Sequence, residues 1–109
     1  MSNSVNFVNL TPHEVNFITD AETISIPASG NLARVTTKTV VVGELGGIPI
    51  TATEFGEVEG LPAPIPGTAY IVSSIVASRV SERNDVYIPN ESIRDENGRI
   101  IGCRSLGRI

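Results

Sequence analysis

The chain has 109 residues, of which 40% are hydrophobic and only 5% aromatic, and its formal net charge is −4. This length predicts one domain, because compact domains are most often ~100–150 residues long. An acidic chain is not expected to coat DNA or RNA, since that binding neutralises many phosphates with Lys and Arg. A compact pocket for one small anion remains compatible with this charge.

The N-terminal half is typical of short β-strands separated by turn residues, because apolar and polar residues alternate and Val and Thr are frequent. The predicted strands are residues 5–10, 14–18, 23–26, 33–42 and 48–57. Thr11-Pro12 ends the first strand as in a hairpin, and Asp20-Ala21 and residues 27–30 form turns or loops. The glycine-rich residues 43–47 join the last two strands into a long hairpin.

Residues 60–67 contain three prolines, which remove three backbone donors and exclude both helix and strand ladder. Leu61 and Ile65 supply apolar anchors, so an ordered crossover is expected here. Within the single domain 1–109, it separates a β-rich region, 1–59, from a mixed α/β region, 68–109.

The C-terminal region alternates strand and helix patterns. Ser73 is placed to cap a short helix that runs to about Ser81, with an apolar stripe at Ile75, Val76 and Val80. The predicted strands are residues 69–72, 86–88 (ended by Pro89), 92–94 and 99–106, the last two flanking an Asn-Gly turn. The prediction is an α+β fold: a mainly antiparallel β-sheet with one or two short helices in the C-terminal half.

Arginine is distributed unevenly. Six of the seven arginines fall in the last 31 residues, and the chain has a single lysine. The cluster consists of Arg79, Arg83, Arg94, Arg99, Arg104 and Arg108. Arginine grips carboxylate or phosphate with a planar fork of donors, so this bias indicates a site for a discrete anion. The alternative is that the arginines form surface ion pairs with acidic neighbours, each worth roughly 0–1 kcal/mol.

Arg104 is the first candidate for an anion clamp. In a strand over residues 99–106 it faces away from Cys103, beside Gly102, which lets a ligand or another backbone approach closely. Arg94 lies in the neighbouring strand, so the two arginines are expected to converge on one phosphate. Arg34, outside the cluster, is a lesser candidate.

A second group of candidates surrounds the end of the predicted helix. Arg83 and Asn84 combine an anion clamp with an amide that can read a base edge, although Asn84-Asp85 equally suits a helix end. Tyr70 and Tyr87 flank this segment and either stack on a base or pack in the core.

No catalytic residues are predicted. His13 and Cys103 are each the only residue of their type, so neither a nucleophile–base pair nor a three-ligand metal site is expected. Cys103 lies in an apolar segment and is predicted to be a buried, inert thiol. Neither a phosphate-loop motif nor a calcium loop occurs. We therefore expect a non-enzymatic protein without metal or cofactor.

The location is predicted from two absences in the sequence. Met1-Ser2-Asn3-Ser4 lacks the basic start and apolar run of a signal peptide, and no apolar stretch approaches the ~20 residues that span a bilayer. A lone cysteine gives no intrachain disulfide. The expectation is a soluble cytoplasmic protein.

Seven motifs resemble, in order along the chain, a family of small phage and prophage proteins. They are NLTPH (9–13), PASG (27–30), ARV (33–35), GEVEGLP (56–62), YIVS (70–73), NDV (84–86) and RDENGRIIGCR (94–104). The sequence resembles the phage Thoeris anti-defence sponge family, the first type described. This resemblance implies a non-enzymatic protein that sequesters a cyclic ADP-ribose isomer made by a bacterial TIR-domain immune enzyme.

The same resemblance implies dimers that build into hexamers, with cyclic trinucleotides held at separate sites in some members. It also implies a grip in which arginines hold phosphates while an aromatic and an amide hold the adenine. Carried to this sequence, that grip falls on Arg34, Arg104, Asn84 and either Tyr70 or Tyr87.

Two other classes of function remain open at this point. One is a structural or assembly protein of a virion, with strands 33–57 mediating assembly and the arginines forming ion pairs between subunits. The other is an enzyme that processes cyclic nucleotides.

Overall fold

The computed structural model describes residues 5–109. The prediction that Met1 to Ser4 do not begin a signal peptide therefore lies outside the described residues. Eight strands and one helix are found in this range. They are β1 (Asn6–Asn9), β2 (Val15–Ile18), β3 (Thr23–Ile26), β4 (Arg34–Leu45), β5 (Ile48–Glu59), β6 (Thr68–Ile71), α1 (Ser74–Arg79), β7 (Val86–Arg94) and β8 (Ile100–Gly107). The predicted fold class is confirmed: strands dominate, and the one short helix lies in the C-terminal half.

Six strands form one sheet in the order β1-β6-β7-β8-β2-β3. The pairs β2–β3 and β7–β8 are antiparallel, whereas β1–β6, β6–β7 and β2–β8 are parallel. Because β1 pairs with β6 and β2 with β8, the two regions on either side of the proline-rich crossover contribute to one sheet.

The sheet curls until its two edge strands meet. A parallel bridge links Asn9, at the end of β1, with Ala28, just after β3, and the Ser29 amide donates to the Asn9 carbonyl at 3.0 Å. Two adjoining groups of buried apolar side chains form the core. One is Leu10, Ala33, Tyr70, Val72, Val76, Ala77 and Val86, and the other is Phe17, Ile26, Ile71 and Cys103.

The strands β4 and β5 form a separate two-stranded sheet, called the arm below. Each has 12 residues, and none of these residues is buried. Gly46 and Gly47 make the turn with φ of 58° and 83°, the left-handed values that a tight hairpin turn requires. The arm gives the molecule a length of 63 Å and a radius of gyration of 17.3 Å, whereas about 13 Å is usual for a compact domain of this length.

The predicted hairpins are confirmed for β2–β3 and for β4–β5, but the second is longer than expected because its turn needs only two glycines. The Ser73 cap is also confirmed, since its side chain accepts from the Val76 amide at 3.4 Å. The helix ends at Arg79 rather than near Ser81. Its buried face is Val76 and Ala77, while Ile75 is exposed.

Two strand predictions are wrong. Residues 5–10 do not begin a hairpin, because β1 pairs in parallel with β6. A strand ending before Pro89 is also incorrect, because β7 continues to Arg94. Beyond Tyr87 no residue of β6 pairs with β7, and a strand with one free side tolerates proline.

Within residues 5–109, no helix has both the length and the apolar character needed to cross a bilayer.

Candidate functional site

Arg104 lies at the rim of a cavity of about 200 Å³ on the curled sheet, called the Arg104 cavity below. The cavity is lined by Phe7, Phe17, Thr19, Ile24, Ile26, Arg104, Ser105 and Leu106. The curl of the sheet creates it, since Phe7 belongs to the edge strand β1 and Ile24 to the opposite edge strand β3. Residues from both ends of the strand order therefore share one pocket.

The Arg104 cavity combines one cation with an apolar floor. Phe17 is buried beneath it, and Phe7 and Ile24 are partly open to solvent. The side chain of Arg104 is exposed and has no hydrogen bond or ion pair to any residue in the part of the chain that the structure describes. A guanidinium beside aromatic and aliphatic side chains can hold a phosphate while a base or sugar lies on the apolar surface.

Several other arginines have partners within the chain. Arg34 lies at the base of the arm, 3.8 Å from Glu59, and both side chains are largely exposed. Arg94 donates to the Gly98 carbonyl at 2.7 Å, and Arg79 donates to the Phe55 and Gly56 carbonyls at 3.3 and 3.4 Å. These arginines brace turns and the arm. The distribution that suggested a single anion site therefore reflects, in large part, internal contacts.

Arg83 is the most constrained of them. Its guanidinium donates to both Asp85 carboxylate oxygens at 2.8 and 2.7 Å and to the Pro62 carbonyl at 3.1 Å. The hydrogen bonds from Arg83 hold the pKa of Asp85 below its usual range, although partial burial opposes that shift. The same hydrogen bonds raise the pKa of Arg83. Arg83 thus ties the start of the crossover, at Pro62, to the loop before β7, and its fork of donors is occupied.

The tyrosines and Asn84 do not converge on Arg104. Tyr70 is only 1% exposed, its hydroxyl donates to the Ala63 carbonyl at 3.2 Å, and Arg83 covers its ring at 5.9 Å from the centroid. Its ring belongs to the core and offers no face for a base. Tyr87 is half-buried on β7, and the Asn84 side-chain oxygen accepts from Arg108 at 3.1 Å.

The strand register separates these candidates. Asn90 pairs with Ser105 and Ser92 with Cys103, so Arg104 is level with Glu91. Asn84 and Arg83 are therefore on the order of 20 Å away along the sheet at ~3.3 Å per residue. Arg94 pairs with Ile100, roughly 13 Å from the level of Arg104. The expected convergence of Arg94 and Arg104 on one phosphate does not occur within this protomer.

Gly102 allows the backbone of β2 to pack closely against β8. A Cβ atom there would lie 2.9 Å from the Asn16 carbonyl oxygen and 2.8 Å from the Ile18 side chain, so β2 packs directly on this glycine. The neighbouring Cys103 is buried, and burial raises the pKa of its thiol. A protonated, enclosed thiol is a poor nucleophile.

A second cavity, of about 270 Å³, opens beside Gly102 and is called the Ile100 cavity below. It is lined by Glu14, Val15, Asn16, Pro89, Ser92, Ile100, Ile101, Gly102 and Cys103. Among the described residues, Glu14 is the one acid in this lining, and no histidine lines it. Among residues 5–109, no three His, Cys, Asp or Glu side chains come together in a way that could hold a metal ion.

Sequence reasoning missed Phe7 and Phe17 as candidate site residues. Both lie on strands that were predicted, and in β1 the side chain of Phe7 alternates with that of Val8, which packs on the core. This alternation is a signal that Phe7 leaves the core face. No local pattern in the sequence indicates that the edge strands β1 and β3 meet, which places Phe7 of β1 in the same cavity lining as Ile24 of β3 and Phe17 of the adjoining β2.

No protein-family model matches this sequence, and neither a curated protein nor a solved structure matches it.

Proposed function

We propose that this protein is a non-enzymatic phage anti-defence protein that binds and sequesters a phosphate-bearing cyclic nucleotide, a cyclic ADP-ribose isomer or a cyclic oligonucleotide. The observation that carries the proposal is the Arg104 cavity, where an exposed guanidinium without an internal partner stands beside Phe7 and Phe17. In this assignment Arg104 binds a phosphate and the phenylalanine rings contact the base or the ribose.

Retention of an intact ligand is supported by the chemistry of the cavity wall. The lining contains the hydroxyls of Thr19 and Ser105 but no His, Cys, Asp or Glu side chain. Serine and threonine hydroxyls act as nucleophiles only when a general base activates them. The Ser105 hydroxyl donates to the exposed Glu91 carboxylate at 2.7 Å, and among the described residues no histidine lines the wall to relay its proton. A sponge acts by affinity and abundance, so a cavity lined by no described His, Cys, Asp or Glu residue suits this role.

Self-association belongs to the same proposal. A cavity of about 200 Å³ is smaller than the ~300–1,000 Å³ of usual small-molecule sites. A dinucleotide-sized ligand would therefore extend beyond it, and a second protomer would supply the remaining cover. We propose a dimer, building to a hexamer, that acts in the cytoplasm of the infected cell where such a signal accumulates.

Calorimetry with cyclic ADP-ribose isomers and cyclic oligonucleotides tests the proposal. We expect at least one sub-micromolar ligand, and heating of the complex should release that ligand unchanged in mass. Consumption of the ligand over hours would establish an enzyme instead. Absence of binding to every member of both ligand classes would refute the sponge.

The second candidate function is a structural or assembly protein of a virion, and the exposed arm specifically favours it. Arms that project from a small body are suited to lattice contacts, because they reach a neighbour while the body stays separate. Electron microscopy of the purified protein at high concentration distinguishes the candidates. Closed assemblies of a few subunits fit the sponge, whereas sheets, tubes or shells fit the virion protein.

A further inference from the structure

Glu91 has an unusual backbone conformation for a residue within a strand. Its φ is 57°, the one positive value at a non-glycine residue within residues 5–109. A side chain in this left-handed region crowds its own backbone, so the conformation persists only where the surrounding structure fixes it. Strained residues of this kind collect at binding sites. The Glu91 carboxylate contacts Ser105, which lines the Arg104 cavity.

The strand register places Glu91 opposite Arg104. The β7–β8 pairs on either side of Glu91 are regular, so an undistorted ladder would put the Glu91 and Arg104 side chains on the same face, where opposite charges attract. No ion pair joins them in the described part of the chain, and the Glu91 carboxylate instead accepts from the Ser105 hydroxyl at 2.7 Å. The left-handed conformation of Glu91 thus leaves the Arg104 guanidinium available to an external anion.

The hydrogen bond to Glu91 also determines what Ser105 can offer a ligand. An ionised carboxylate only accepts, so the Ser105 hydroxyl is the donor of this bond. Its single proton is then engaged, whereas the lone pairs of its oxygen remain. Ser105 therefore lines the cavity as an acceptor. An acceptor binds a hydroxyl or amino group of a ligand and repels a phosphate oxygen.

The other hydroxyl of the lining, that of Thr19, is engaged within the chain as well. It donates to the Glu22 carbonyl at 2.9 Å and accepts from the Glu22 amide at 3.1 Å. Among the described side chains of the lining, Arg104 is thus the one that has donors for a ligand. A ligand that matches this wall carries an anion for Arg104 and a hydrogen-bond donor for Ser105.

A ribose phosphate supplies both groups. In a ribonucleotide 3′-phosphate, the 2′-hydroxyl is on the sugar carbon next to the phosphate ester, so the donor and the anion are neighbours. Phe7 and Phe17 provide an apolar surface for the base in the same cavity. A 2′-deoxyribose phosphate lacks the hydroxyl and would leave the Ser105 oxygen without a partner.

We propose that Glu91 is a positioning residue of the Arg104 cavity, which leaves Arg104 available to a phosphate and holds Ser105 as the acceptor of an adjacent ribose hydroxyl. This inference rests on the proposed function, since it concerns how the same cavity chooses its ligand. Glu91 acts through Ser105, and Ser105 makes the contact with the sugar. The consequence is a preference for ribonucleotides over deoxyribonucleotides.

Titration of the full chain with adenosine 3′-monophosphate and with its 2′-deoxy counterpart tests the inference. Nuclear magnetic resonance shifts of the β8 amides report the position and the affinity of each probe. We expect the parent to bind the ribonucleotide about fivefold more tightly, because one additional hydrogen bond forms. Glu91→Gly removes the carboxylate while glycine tolerates the left-handed φ, so the ratio of the two affinities should fall to about one. Ser105→Ala removes the acceptor itself and should have the same effect.

Two further variants separate positioning from structural support. Glu91→Gln keeps an oxygen that accepts the Ser105 proton and should retain most of the preference. Glu96→Gly is the matched control, because Glu96 is an exposed acid in the turn between β7 and β8 and lines neither the Arg104 cavity nor the Ile100 cavity. Its ratio should equal that of the parent. A purely structural role of Glu91 would change the stability of Glu91→Gly and leave the ratio unchanged.

Equal affinity of the parent for the two probes overturns the inference, as does a parent that binds neither. A Glu91→Gly or Ser105→Ala variant that keeps the parent ratio overturns it as well. If the parent still binds a cyclic nucleotide in those cases, the proposed function stands without the inference. A ribose preference that depends on Glu91, found together with no binding of any cyclic nucleotide, supports the inference and refutes the sponge.

Discussion

Asn9 and Ile26 hold the two edges of the curled sheet together. The Asn9 side-chain amide donates to the Ile26 carbonyl at 3.1 Å and to the His13 carbonyl at 2.8 Å. Its oxygen accepts from the amide and the hydroxyl of Thr11 at 3.0 and 2.6 Å. At 1% exposure, Asn9 is the one fully enclosed polar side chain within residues 5–109, and every hydrogen-bonding group of its amide is engaged.

Replacing Asn9 by alanine should therefore destabilise the fold more than an ordinary surface substitution. Asn9→Ala removes the side-chain donor to the Ile26 carbonyl and the side-chain acceptor of the Thr11 amide, and we expect a loss of about 2–4 kcal/mol in the free energy of unfolding, measured with urea. Asn31→Ala is the matched control, because the Asn31 side chain is exposed and Asn31 contacts the Ser29 hydroxyl only through its own backbone amide and carbonyl. Equal losses for the two variants would contradict the role given to Asn9.

The same residue shows where sequence reasoning stops. The strand and the Thr-Pro turn around Asn9 follow from local alternation and turn chemistry. Its partner strand β6 lies more than half the chain away, and no local pattern encodes a parallel pairing at that separation. The hairpins β2–β3 and β4–β5 were predictable because strand, turn and return strand are contiguous.

Candidate site residues divide in a similar way. The arginine bias predicted a site for a discrete anion, and for Arg83 the structure shows an internal carboxylate as the partner, that of Asp85, only two residues away. From the sequence alone, an arginine that binds a carboxylate of its own chain cannot be distinguished from one that binds an external phosphate, because both acceptors fit the same fork of donors. Arg104 remained a candidate because the fold leaves its side chain beside a cavity, and that depends on how far the sheet curls.

Acid should weaken the protein through Asp85. The folded-state pKa of Asp85 is depressed by Arg83, so its contribution is present above the unfolded value of about 4 and is lost as the pH falls through the folded value. Asp85→Asn should cost about 2 kcal/mol at pH 7, since both side chains of the pair are more than four-fifths buried. Thermal melts should show the difference between the parent and Asp85→Asn shrinking below about pH 4. A difference that stays constant down to pH 2 would mean that the ion pair contributes nothing.

Gly60 should not tolerate a side chain. Its φ is +83°, and an added Cβ atom would overlap the Leu32 carbonyl oxygen. Gly30 has a similar φ of +94°, yet nothing lies near the position of its Cβ atom. Gly30→Ala should therefore cost about 1 kcal/mol from backbone strain alone, and Gly60→Ala about 3 kcal/mol or more. Urea unfolding of both variants separates the two effects, and similar costs would show that the Leu32 contact is unimportant.

Ligand binding should depend on Arg104 and on the shape of its guanidinium. Arg104→Ala removes the one cation that lines the cavity among residues 5–109 and should lower the affinity for the cyclic nucleotide by about 2 kcal/mol, roughly 30-fold. Arg104→Lys keeps the charge but loses the planar fork, so its affinity should also fall clearly, by about tenfold. Calorimetry is the measurement, after each variant is shown to keep its oligomeric mass and melting temperature.

Arg108→Ala is the matched control for this series. Arg108 lies four residues beyond Arg104 on the same chain segment, but it lines neither cavity and instead donates to Asn84. Its alanine variant should bind the cyclic nucleotide like the parent, because the phosphate contact at Arg104 is intact. If Arg104→Ala and Arg108→Ala bind with equal affinity, Arg104 is a solvated arginine and the ligand site lies elsewhere on the molecule.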